Sequence, residues 1–221
     1  MTSLFTNRRD AGRRLALRIG EHLRARGGAE PVVVGLAPGG VAVAAEVARE
    51  LAAPLDVMVA RPLNAPGNGT PLGALADEEP PVLNRRVMRG LGLGVADLES
   101  EVSHQRVELH RLEKLYRDRR PALPVDGRTV VLVCDGVVCG PLIPAAVSAL
   151  RARGPGWLVL AAPVCDARSA AGLQRIVDVL LCLREATYLH AVGPWYDDFR
   201  DVTDREVAVL LRQQPTARRP G

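Results

Sequence analysis

Thr129-Val-Val-Leu-Val-Cys-Asp-Gly-Val-Val-Cys-Gly-Pro-Leu-Ile-Pro-Ala-Ala146 is the stretch on which the fold turns. Its first five residues are β-branched or aliphatic and no charge intervenes before Asp135, the pattern of a strand buried on both faces of a parallel sheet. Asp135-Gly136 breaks that run. Gly140 and Pro141 follow, and proline suits a first helical turn because its missing N–H would have no partner there. The segment therefore reads as strand, short loop and helix. In open α/β sheets ligands settle at such junctions, outside the carboxyl ends of strands, and unpaired N–H groups at the start of the next helix attract anions.

The same alternation extends outward in both directions. Leu15, Ile19 and Leu23 recur at helical spacing among Arg and Glu, which predicts an amphipathic helix from residue 7 to about 26, stopped by Gly27-Gly28. Residues 31–36 form an apolar strand; a glycine turn at 37–40 and a helix to about residue 51 come after it. Residues 54–60 read as the next strand, and 61–68 as a turn-rich loop. That loop is either a functional lid or a hairpin connecting 54–60 to a strand at 72–76. From residue 82 to 118 the pattern changes to a charged helical insertion, with one long helix from about 95 to 116. Downstream, strands at 157–163 and 177–183 flank a helix at 165–176, and Thr203 with Glu206 forms a capping box for a last helix. Strands and helices in this order define a doubly wound, mostly parallel α/β sheet. We expect a single domain over residues 1–214, with the insertion at about 85–118, and a disordered tail at 215–221.

Composition narrows the function classes. In 221 residues, 48% are hydrophobic and only 3% aromatic, so the core must come from Val, Leu, Ile and Ala. The net charge of +4 rests on arginine, with Lys114 the single lysine. Arginine favours phosphate and carboxylate, yet no DNA- or RNA-reading motif accompanies it, which speaks against nucleic acid as a partner. Cys134, Cys139, Cys165 and Cys182 contain no C-x-x-C pair and read as small hydrophobes of a reducing compartment. His104 and His110 lie six apart, off any shared helical face, and no metal site is predicted. Gly90-Leu-Gly-Leu-Gly94 lacks dinucleotide-fingerprint spacing and follows no strand. With no apolar run of about 18 residues and no signal-peptide pattern at residues 1–10, a cytoplasmic location away from membranes is expected.

The residue order of the 134–142 loop is similar to the signature of the type I phosphoribosyltransferases, an apolar strand followed by two acids, Gly, a small hydrophobic residue, Ala-Thr-Gly and often another Thr. Asp135, Gly136 and Gly140 match; Cys134 stands at the first acid, Val138 at the Ala, Cys139 at the first Thr and Leu142 at the second. In that family the acidic pair holds the ribose hydroxyls of phosphoribosyl pyrophosphate, and the loop wraps the 5′-phosphate with backbone N–H groups. The resemblance continues at the glycine turn, where Gly39 and Gly40 match a pyrophosphate-binding turn and Pro38 occupies an Arg position. It also covers Arg61, Ala65, Pro66, Gly67 and Asn68, with Pro62 at a Lys position. Phe5-Thr-Asn-Arg-Arg-Asp-Ala-Gly12 matches as well, and so does the end block, in which Ala191-Val-Gly193, Trp195, Tyr196, Asp198, Phe199 and Thr203-Asp-Arg-Glu-Val207 correspond to a hood at about 186–200 that holds the base in purine-specific relatives.

What the resemblance implies is a small phosphoribosyl or nucleotide ligand and pentosyl transfer as the reaction. Asp135 would be the catalytic or ribose-binding acid, with Gly39, Gly40, Arg61, Gly136, Val137, Val138, Cys139, Gly140, Trp195 and Tyr196 around the substrate. Mg²⁺ would accompany the leaving pyrophosphate, and the helix at 95–117 could form a homodimer contact. Three readings stay open. They are a divergent phosphoribosyltransferase, a homologue that binds the ligand without catalysis in a regulatory or scaffold role, and a thiol-dependent enzyme using Cys139. Trp195, Tyr196 and Phe199 serve either as the hood or as packing for the last helix.

Overall fold

The computed structural model describes residues 3–28, 30–67, 69–118 and 120–213; the tail expected at 215–221 lies outside them. In chain order the elements are α1 (Arg8–Ala25), β1 (Val32–Leu36), α2 (Gly39–Glu50), β2 (Leu55–Met58), β3 (Ala60–Asn64), β4 (Pro71–Ala76), β5 (Val82–Leu83), α3 (Arg85–Gly90), α4 (Glu99–Arg117), β6 (Thr129–Val133), α5 (Leu142–Ala152), β7 (Trp157–Asp166), α6 (Ala167–Leu173), β8 (Val179–Ala186) and α7 (Asp204–Arg212). Five of the strands make a parallel sheet in the order β2-β1-β6-β7-β8. The α/β class expected from the strand–helix alternation is the one observed.

Alternate residues along these strands enter two cores. Val33, Val131, Val133, Val159 and Ala161 pack with α1, α2, α4 and α7, whereas Val32, Val34, Val130, Leu132, Leu158 and Leu160 pack with α5 and α6. A strand covered on both faces has no solvent side, which is why the apolar runs are continuous rather than alternating. Asn7 caps α1 by accepting from the Asp10 N–H, and the Thr203–Glu206 capping box of α7 is formed.

Several boundaries differ from the sequence reading. Residues 61–64 belong to strand β3, which pairs antiparallel with β4, and β4 with β5, in a second sheet of three strands, so a hairpin to the 72–76 strand is formed. The turn is confined to the tip, where the Ala65 N–H donates to Thr70 O at 2.8 Å. This hairpin is held on both sides, with Leu63 and Leu75 in the first core and Ala74 and Ala76 in the second. The insertion also carries β5, α3 and a 3₁₀ turn at Ala96–Leu98 ahead of α4. β7 runs on to Asp166, so α6 begins two residues later than expected and β8 is displaced toward the carboxyl end.

Candidate functional site

From the centre of the sheet the chain leaves β1 toward β2 and β6 toward β7, so the crevice between the carboxyl ends of β1 and β6 is the topological switch point. Both loops singled out in the sequence open there. The turn after β1, whose Ala37–Pro38 bond is cis, leads into α2 at Gly39, and the loop after β6 carries Asp135. They touch closely enough to forbid a side chain at position 39, where a Cβ would sit 2.0 Å from Asp135 Oδ2. At Gly40 a Cβ would meet Val133 O at 2.5 Å. At Gly136 it would strike Val192 of the hood at 2.5 Å.

Asp135 is held by Arg8. The Arg8 Nε and Nη2 atoms each lie 3.0 Å from Asp135 Oδ2, while Nη1 donates to Arg200 O at 2.8 Å. The guanidinium carbon stands 3.7 Å from the Phe199 ring centroid. The two side chains are 11% and 23% exposed, so the pair is shielded enough for charge-assisted hydrogen bonds worth about 1.5–3 kcal/mol each. Tyr196 completes the contact from the hood, donating its hydroxyl to Asp135 O at 2.6 Å. Burial, followed by the Asp135 charge, pushes the Tyr196 phenol well above its ordinary range, which keeps it a neutral donor.

The remaining predicted residues lie in different surroundings. Val137 is buried and paired with β7: its N–H donates to Val164 O and its carbonyl accepts from the Asp166 N–H, both at 2.8 Å. Val138, Cys139 and Gly140 are exposed, and no acceptor among the described residues takes their N–H groups. With the first turn of α5 immediately after, they form a run of free donors beside Asp135. Arg61 faces elsewhere, donating from Nε to Gln105 Oε1 of α4 at 2.9 Å. Trp195 is half-buried, and its carbonyl accepts from the N–H groups of Leu4 and Phe5. The Tyr196 ring packs between Phe5 and Phe199, at centroid distances of 5.3 and 4.9 Å. Cys134 belongs to the α5 core, and burial together with the neighbouring Asp135 charge drives its thiol far up, so it stays protonated.

Arg8 was not singled out as a site residue, and Phe199 was weighed only as part of the hood or as packing for the last helix. A signal for Arg8 did exist: an arginine pair in the first turn of a helix opposes the macrodipole, which calls for a carboxylate nearby. Behind Arg8 a cleft of about 570 Å³ runs between the start of α1 and α7, walled in part by Arg200, Arg205, Val209 and Leu210; the 136–140 loop is not part of its wall. A protein-held Mg²⁺ does not fit the donors present. Asp135 offers one unengaged oxygen, Cys134 is buried, and no group of three or more His, Cys, Asp or Glu among the described residues could share an ion. No helix among those residues is long and apolar enough to cross a membrane.

The sequence profile of the phosphoribosyl transferase domain matches residues 3–194. A Mycobacterium tuberculosis protein whose name assigns it to the phosphoribosyl transferases is 38% identical over 209 residues, covering 94% of this chain and 46% of the relative. The chain thus spans about half the length of the curated relatives it matches. The crystal structure of TT1426 from Thermus thermophilus superposes with a TM-score of 0.78 at 38% identity, covering 96% of this chain and 99% of the other. A Neisseria gonorrhoeae protein crystallised with ppGpp shares the fold at a TM-score of 0.50 and 12% identity, over 84% and 85% of the two chains.

Proposed function

Because this chain belongs to the phosphoribosyl transferase domain family, we propose that it binds a phosphoribosyl ligand in the crevice between β1 and β6. In this reading the free N–H groups of Val138, Cys139 and Gly140 grip the 5′-phosphate, aided by the start of α5. The unengaged Oδ1 of Asp135 accepts from a ribose hydroxyl. The observation that carries the reading is the adjacency of those unpaired amides to a carboxylate whose other oxygen is already fixed.

The family's reaction forms a bond from an acceptor nitrogen to C1 of the ribose as the bond from C1 to pyrophosphate breaks. Charge gathers on the departing pyrophosphate, and cations near it lower the barrier. Pro38 and Pro62 stand where the resemblance expects Arg and Lys, and Arg61 is occupied with Gln105. Each missing charge-assisted contact is worth about 1.5–3 kcal/mol, and about 1.4 kcal/mol is tenfold in rate. Transfer from phosphoribosyl pyrophosphate should therefore be slow, and a second reading, binding without transfer, draws its support from the same substitutions. Tyr196 supports the loop from beneath in either case.

Titration calorimetry with ribose 5-phosphate and phosphoribosyl pyrophosphate, paired with a pyrophosphate-release assay, tests the proposal. Binding of both ligands is expected. Release of pyrophosphate on adding a nucleobase would establish transfer, and binding with no release would establish the second reading. Absence of binding to either ligand would end both.

A further inference from the structure

We infer that Arg8 is a positioning residue for the sugar-binding carboxylate, an assignment that rests on the phosphoribosyl reading above. Asp135 has two oxygens and three neighbours that decide its orientation. Arg8 places two donors on one oxygen, Oδ2, each at 3.0 Å. Gly39 closes on that same oxygen so tightly that even a methyl group would collide with it. Tyr196 fixes the backbone of Asp135 through its carbonyl. Rotation about the Asp135 side chain would exchange the oxygens only by breaking both arginine contacts. Oδ1, which takes no hydrogen bond from any described residue, is thereby held as the acceptor available to a ligand.

Arginine is the residue type this geometry requires. A planar fork engages Oδ2 through Nε and Nη2 while Nη1 remains free to bind Arg200 O and the plane lies over Phe199. Lysine, a point charge on a flexible stem, can supply the charge but not the three-way constraint. Arg8 also reaches Asp135 from one side and the hood from the other, so the Asp135 carboxylate, the first turn of α1 and residues 199–200 are held in one arrangement. The role concerns recognition of the sugar and leaves the phosphate amides untouched, and this separates it from a general contribution to folding.

Affinities for ribose 5-phosphate and for inorganic phosphate, measured by calorimetry in the wild type, Arg8→Lys, Arg8→Gln and Asp135→Asn, test the assignment. The wild type should prefer ribose 5-phosphate by roughly tenfold or more, the worth of one charged hydrogen bond. Arg8→Gln should remove most of that preference while phosphate affinity stays within about twofold, and it should add nothing in the Asp135→Asn background, because the two act as a unit. If Arg8→Gln does not fold, Arg8→Lys carries the test with a smaller loss of preference. A retained preference in both variants, or an equal fall for both ligands, overturns the assignment. A wild type that binds phosphate but shows no preference for the sugar overturns the phosphoribosyl reading itself, and the inference goes with it.

Discussion

The two oxygens of Asp135 have different surroundings, so a neutral isostere does two separable things. Asp135→Asn removes the charge that Arg8 faces and places an amide group in the fork or at the ligand side. Affinity for ribose 5-phosphate should fall by roughly tenfold or more, measured by calorimetry, and unchanged affinity would remove Asp135 from the site. Gly39→Ala attacks the same carboxylate through sterics. Its methyl would sit 2.0 Å from Oδ2, and overpacking of this kind costs about 1–3 kcal/mol. We expect a lower urea midpoint together with weakened sugar binding; a variant as stable as the wild type would show that the turn can yield. The place of Asp135 at the end of a strand was legible because it ends an apolar run, and the resemblance suggested its role. Its partner was not, since Arg8 and Asp135 are 127 positions apart and local spacing carries no record of that distance.

The elements were legible to the extent that their signal was local. The five parallel strands and the capping box of α7 follow from apolar runs and from Thr203 with Glu206, whereas the β3–β4 hairpin stood only as one of two readings of a turn-rich segment. Pro66 and Gly67 mark the tip correctly, but the short arm at 60–64 offers only Leu63 as a fully buried side chain, too little for a period to show. Arg61 was assigned to the ligand by the resemblance, and its bond from Nε to Gln105 in the insertion left no local signal. α4 is anchored by a different arginine. Arg117 Nε donates to Asp56 Oδ1 at 2.9 Å and its Nη2 to Val57 O at 2.7 Å, with Glu113 at 3.2 Å and the Leu123 N–H on Asp56 Oδ2. The contacts to Asp56 and Val57 fasten α4 and the segment after it to the edge strand β2, while the Glu113 contact lies within α4. Removing one member of a buried, fully hydrogen-bonded pair costs about 3–5 kcal/mol because the other charge is left uncompensated. Arg117→Ala should lose stability on that scale in chemical denaturation. Arg117→Ala with Asp56→Ala should lose less than the two single changes added together, and strict additivity would mean that the pair is not coupled.

Across the molecule, two tyrosines tie the carboxyl-terminal segment to the rest, and both are held in their neutral form. Tyr196 donates from the hood to the Asp135 carbonyl, and Tyr116 of α4 donates to Asp204 Oδ1 at the first turn of α7, at 2.7 Å. Burial is the leading cause of the upward shift in each, reinforced by the charge of Asp135 on Tyr196 and by the bond to Asp204 on Tyr116. An acid whose folded pKa is raised stabilises the fold below its unfolded value, near ~10 for tyrosine, and that contribution is lost as pH rises beyond it toward the folded value. The carboxylates run the other way. Burial opposes ionisation of Asp178, but Arg151 and the Leu158 N–H outweigh it and hold the group below its ordinary range; its contribution is lost as pH falls below ~4. Unfolding free energy should thus be flat through neutrality and decline at both ends. On the alkaline side, ultraviolet absorbance of tyrosinate from Tyr116 and Tyr196 should rise together with the loss of helical circular dichroism, since burial disfavours ionisation of both phenols in the folded protein. Ionisation of both while the dichroism stays native would contradict the packing described for α7 and the hood. Tyr196→Phe should lower stability at neutral pH through the lost hydrogen bond to Asp135 O and make the alkaline decline less steep, because one of the two linked protons is then absent, so that its deficit narrows as pH rises above ~10.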